Sequence, residues 1–140
     1  MEHFCSARTA SYETETLSLI HIFTTLDHKA GVQARSLNLC EQKRLEVARA
    51  LATEPKLIML DEVMAGLNPT EVAEVMEIVM NIKALGITIV VIEHIMQAVM
   101  NISDTITVLS FGEKIAEGRP DEIVANPDVI SVYLGSDYAQ

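Results

Sequence analysis

The chain is 140 residues long, 49% apolar and 21% charged, with a mean hydropathy of +0.26. That suffices for one domain or a large piece of one, and it excludes a disordered chain. A formal charge of −10, from 10 basic and 20 acidic side chains, excludes general nucleic-acid affinity, which needs a basic stripe to neutralise phosphates.

The longest clear apolar run, from Leu85 to Ile92, has only 8 residues, whereas spanning a bilayer takes roughly 18. Glu2 and His3 begin a polar stretch without the apolar segment of a secretory signal. Cys5 and Cys40 form no CxxC pair, which suits a reduced, intracellular protein. The expectation is a soluble, acidic globular chain.

Composition shifts near residue 36: the first 36 residues carry a net charge of −1 and weak periodicity, the rest −9 and clear elements. Leu45, Ala48, Leu51 and Ala52 have helical spacing and predict a helix from Glu41 to Thr53, stopped by Pro55. Leu57 to Leu60 is an all-apolar run, as a strand covered on both sheet faces must be, and it ends in Asp61-Glu62. Asn68-Pro69-Thr70-Glu71 opens a second helix with a cap, a first-turn proline and a reciprocal glutamate. Val72, Val75, Met76, Val79 and Ile82 form its apolar stripe, and Gly86 ends it.

Ile87 to Ile92 reads as a second buried strand and His94 to Ile102 as a helix. Thr105 to Ser110 and Glu113 to Glu117 read as a hairpin turned by Phe111-Gly112. Short helices start at Pro120 and Pro127, and Gly135 closes the last. Strand, helix, strand, helix, strand predicts an α/β fold with a mostly parallel sheet, flanking helices and a C-terminal β-hairpin.

Ligands of a parallel sheet lie beyond the carboxyl ends of its strands, where Asp61 and Glu62 fall. On its own, an apolar run followed by acids is more often just the polar start of a loop. Its surroundings alter that reading. Leu37-Asn38-Leu39-Cys40-Glu41, leading into a helix, resembles a worn LSGGQ signature. Leu57 to Glu62 resembles Walker B with its adjacent glutamate, Ala65-Gly66-Leu67-Asn68 a D-loop, and Ile92-Glu93-His94 a strand ending in a switch histidine. These four motifs, in order, resemble the ATP-binding-cassette nucleotide-binding domain, a P-loop NTPase. The resemblance covers residues 26–140 and leaves residues 1–25 unmatched. The tail from Glu117 to Gly135 is similar to that of branched-chain amino acid transporter ATPases, as are Glu93-His94-Ile95-Met96 and Ala65 to Pro69.

The resemblance implies roles. Asp61 would hold Mg²⁺, mostly through water, as a small hard cation prefers. Glu62 would polarise the water that attacks the γ-phosphate of MgATP, and His94 would sense that phosphate. It implies three further things: a second nucleotide-binding subunit, a transmembrane permease subunit of an importer, and a place on the cytoplasmic face of the plasma membrane. His3, His21 and His28 match nothing and read as structural or surface residues.

The departures matter as much. A P-loop needs GxxxxGK[ST], and the chain contains no Gly-Lys dipeptide. Asn38 and Cys40 stand where the signature has serine and its second glycine, so the Cys40 side chain is expected to obstruct a phosphate. Losing one such donor costs about 3 kcal/mol, or roughly a hundredfold in rate. No base is visibly paired with Cys40, which reads as a replaced glycine, not a nucleophile. Val63 replaces the usual proline after Walker B, and the methionines are expected in the core.

The reading is therefore a fragment of an importer's ATP-binding subunit, unable to bind or hydrolyse ATP well by itself. The alternatives are a non-catalytic half-domain docking on another nucleotide-binding chain, or the product of a truncated or chimeric gene. With the P-loop half missing, one strand edge and one apolar face are expected to lack cover. That is on the order of 300 Å², or about 7 kcal/mol at 25 cal/mol/Å².

Overall fold

The computed structural model describes residues 24–134. Cys5, His3, His21 and Gly135 lie outside them, as does nearly all of the unmatched segment 1–25. Five α-helices and four strands follow two short 3₁₀ turns at Asp27–Lys29 and Ala34–Ser36. In chain order they are α1 (Leu39–Leu51), β1 (Leu57–Asp61), α2 (Pro69–Ala84), β2 (Thr88–Ile92), α3 (Met96–Ile102), β3 (Ile106–Ser110), β4 (Glu113–Gly118), α4 (Pro120–Val124) and α5 (Pro127–Leu134). They form two compact units divided between Glu93 and His94.

In the first unit β1 and β2 run parallel, with Leu57 opposite Thr88 and Asp61 opposite Ile92. Helix α1 packs on β1 and α2 on β2. Ile58 and Leu60 are buried together with Val47, Leu51, Val75, Ile78, Val79 and Ile82. Of the predicted stripe of α2, Val75, Val79 and Ile82 are buried and Val72 and Met76 half-buried, and Ile78 joins the buried set. Asn68 caps α2 by accepting from the Thr70 and Glu71 amides, and Glu71 returns a bond to the Asn68 amide.

Burial of these strands on both faces is corrected by the structure. β1 alternates, with Leu57 and Met59 exposed, and β2 exposes Val90 and Ile92 on the same register. An apolar face lacking cover is the other expectation drawn from the sequence, and Leu57, Met59, Val90 and Ile92 form it. Met59, 66% exposed, also departs from the expected core methionines, whereas Met64 is wholly buried. Unfolding in urea should therefore need less than about 8 kcal/mol, within the range of marginal domains.

In the second unit β3 pairs antiparallel with β4 through a bulge between Val108 and Leu109. Among the described residues β3 pairs with no other strand, so the parallel ladder has two members. The hairpin turn is where it was predicted: Phe111 and Gly112 both take positive φ. Ile106, Val108, Ala116, Ile123 and Val129 form the core here, with Met96 and Met100 of α3 packed against it.

Candidate functional site

The parallel pair delivers Asp61, the last residue of β1, and Glu62 to the carboxyl end of the strand, both exposed. The Glu62 amide donates to the Ile92 carbonyl at 2.9 Å, extending the ladder by one bond. Glu62 has φ +47°, a left-handed conformation that costs a non-glycine residue about 1–2 kcal/mol. Val63 and Met64 then turn inward and are buried. The Met64 amide donates to Glu93 Oε1 at 2.7 Å.

Ala65, Gly66, Leu67 and Asn68 close this turn into α2, with Ala65 bonded back to the Glu62 carbonyl at 3.1 Å. Gly66 has φ +78°, and a Cβ there would lie 3.0 Å from Leu39 Cδ2. The D-loop-like segment thus meets the signature-like one. Gly66→Ala is expected to destabilise the first unit by about 1–2 kcal/mol through the positive φ. Urea unfolding checks this, and adding Leu39→Ala should recover only the packing part.

The signature-like segment is built as a helix start. Asn38 Oδ1 accepts from the Glu41 amide at 2.8 Å, and Glu41 Oε2 accepts from the Asn38 amide at 3.0 Å. Helix α1 therefore begins at Leu39, two residues before the predicted Glu41, and ends at Leu51, not Thr53. The first-turn signal, Asn-x-x-Glu, is the one that correctly opened α2 at Asn68. Gln42 donates to the Leu37 carbonyl at 2.8 Å. Lys29 forms an ion pair with Glu41.

Cys40, in the first turn at the α1 N-terminus, is buried, at 4% exposure. What occupies that terminus is the Glu41 carboxylate, an anion already placed where a helix N-terminus would draw another. Burial raises the Cys40 thiol, with Arg44 partly opposing and Glu71 and Glu74 assisting.

The Lys29 ammonium, then the Asn38 amide, hold the Glu41 carboxyl below its usual range. A lowered carboxyl stabilises the fold above its unfolded value, about 4.3 for glutamate, and loses that contribution as pH falls through the lower folded one. Lys29→Ala should move the Glu41 midpoint up toward the ordinary value in a carbon-13 NMR titration. An unchanged midpoint would remove Lys29 as the cause.

His94 and Ile95 precede α3, which begins at Met96, so the predicted helix start at His94 moves two residues on. His94 is exposed and belongs to the second unit, while Asp61 and Glu62 belong to the first. His28, expected at the surface, is exposed beside Asp27. The bond from the Met64 amide to Glu93 was not foreseen. Its donor is a backbone amide, which leaves no mark in a sequence.

Among the described residues no group of three or more His, Cys, Asp or Glu side chains could hold a metal ion. The donor set at the rim fits a magnesium ion carried by one carboxylate, waters and phosphate oxygens, and not an all-protein cage.

Residues 113–139 match the family model for a branched-chain amino acid ATP-binding cassette transporter. The chain is 47% identical over 111 residues to the high-affinity branched-chain amino acid transport ATP-binding protein LivG of Escherichia coli, covering 79% of this chain and 43% of that one. It is 43% identical over 107 residues to BraF of Pseudomonas aeruginosa, a protein of the same description, covering 76% and 42% respectively. The solved ADP conformation of MJ1267, an ATP-binding cassette of an ABC transporter, superposes with a TM-score of 0.76 at 34% identity, covering 87% of this chain and 51% of that one. This chain is homologous to the C-terminal part of branched-chain amino acid transporter ATP-binding subunits.

The cassette cbiO1 of Clostridium perfringens, part of the transporter complex cbiONQ, has the same fold, with a TM-score of 0.75 at 29% identity, over 89% of this chain and 51% of that one. The chain spans less than half the length of the curated cassette relatives. Continuous similarity to transport cassettes over 111 residues does not favour the docking half-domain.

Proposed function

We propose that this chain supplies the carboxylate part of an MgATP hydrolysis site in the ATP-binding subunit of a branched-chain amino acid importer. The observation that carries this reading is the parallel β1–β2 pair, which presents Asp61 and Glu62 together at its carboxyl rim. Asp61 would hold Mg²⁺ through water, and the ion would neutralise charge on the phosphates. Glu62 would orient the attacking water and take its proton. The Leu37–Glu41 and Ala65–Asn68 segments, in contact through Leu39 and Gly66, would face a second nucleotide-binding subunit. His94 would contact the γ-phosphate.

Such a subunit acts on the cytoplasmic face of the membrane with a permease that crosses it. Among the described residues no helix is long and apolar enough to do so itself. In this reading residues 26–140 form the cassette portion.

The test joins the N-terminal portion of the LivG relative to residues 26–140 and titrates the product with ATP by calorimetry. Binding should require Mg²⁺ and weaken by about tenfold with Asp61→Asn, the loss of one charged contact worth about 1.4 kcal/mol. Affinity unaffected by Asp61→Asn would contradict the assignment.

A further inference from the structure

We propose that Glu93 is a positioning residue: its carboxylate locks the Glu62-bearing turn to the end of β2 in place of a backbone carbonyl. The consequence for Glu62 rests on the proposed hydrolysis, but the lock itself does not.

The argument begins with the ladder. In a parallel pair each strand contributes alternate bonds. The Glu62 amide takes the Ile92 carbonyl; the next bond donated from this side of a continued ladder would run from the Met64 amide to the carbonyl of residue 94. The Met64 amide takes Glu93 Oε1 instead, at 2.7 Å. A side chain has replaced the acceptor, which frees the backbone to leave the ladder after Glu93 while the turn stays fastened.

The bond is not optional. Met64 is fully buried, so water cannot replace a lost acceptor. Glu93 Oε2 is buried and bonds to no other described group, so the Met64 amide alone accounts for the inward turn of this carboxylate. Met64 lies between the two left-handed residues of the turn, Glu62 at φ +47° and Gly66 at φ +78°. The left-handed conformation of the non-glycine Glu62 persists only where surrounding contacts over-determine it. The Glu93 bond is the contact placed to do that.

Amide hydrogen exchange by NMR on the 140-residue chain tests the lock without nucleotide, so its outcome is independent of whether the proposed hydrolysis is correct. Glu93→Ala should speed exchange at Met64 by about tenfold or more relative to Val79 and Ile82, as loss of one buried bond implies. Glu93→Gln, whose amide oxygen can accept the same bond, should restore the rate to within about threefold. The Glu62 side-chain carboxylate resonance should move in Glu93→Ala and return in Glu93→Gln. Three results would each overturn the proposal: an unchanged Met64 rate in Glu93→Ala, equal acceleration at Met64 and Ile82, or no rescue by glutamine. An unmoved Glu62 resonance would overturn the positioning role.

Discussion

Glu62→Gln is expected to lower ATP turnover of the joined LivG–residues 26–140 protein by about 10²–10⁴-fold, the usual contribution of a positioned general base. MgATP affinity should stay within about threefold of the unsubstituted protein. The split follows from the division of labour at the rim. Glutamine keeps the shape of Glu62 and its place in the left-handed position at φ +47°, but it cannot accept the proton of the attacking water. Asp61, which is proposed to hold Mg²⁺, is untouched. A fall in affinity matching the fall in turnover would show that Glu62 binds the nucleotide instead of acting on water.

The second large effect concerns stability and comes from an inequality between two apolar side chains. Ile82→Ala should destabilise the first unit by about 2–4 kcal/mol, because removing a buried aliphatic side chain loses both its transfer energy and its packing. Ile82 is 0% exposed on the inner face of α2, whereas Met59 on β1 is 66% exposed. Met59→Ala should therefore cost less than about 0.5 kcal/mol, as surface substitutions do. Urea unfolding followed by circular dichroism measures both. Equal losses would mean that Met59 is covered in solution, against the alternating burial of β1.

The alternating burial also shows where sequence reading stops. Leu57-Ile58-Met59-Leu60 is uniformly apolar because such a strand is suited to cover on both faces, and residue identity cannot say whether the cover is present. The strands themselves, the cap at Asn68 and the turn at Phe111-Gly112 were legible because each depends on neighbours in sequence. The cap at Asn38 was equally local. Asn38 and Glu41 carry the same Asn-x-x-Glu signal as Asn68 and Glu71, and the resemblance of this segment to a phosphate-binding signature masks it.

The site was legible in part for the same reason. Asp61 and Glu62 directly follow an apolar strand, and strand ends deliver side chains to the rim. The inward turn of Cys40 depends on how α1 packs, and the bond from Met64 to Glu93 joins residues 29 apart in sequence. Neither could be read from spacing. Among the described residues the parallel ladder has two strands, and β3 pairs with the adjacent β4.

The most direct test of the central claim is phosphate release from ATP by the 140-residue chain alone, with Glu62→Gln as control. The chain holds rim carboxylates but contains no Gly-Lys cradle for the phosphates. Release should therefore stay at the level without protein and be the same in both versions. Release above that level which disappears with Glu62→Gln would contradict the account.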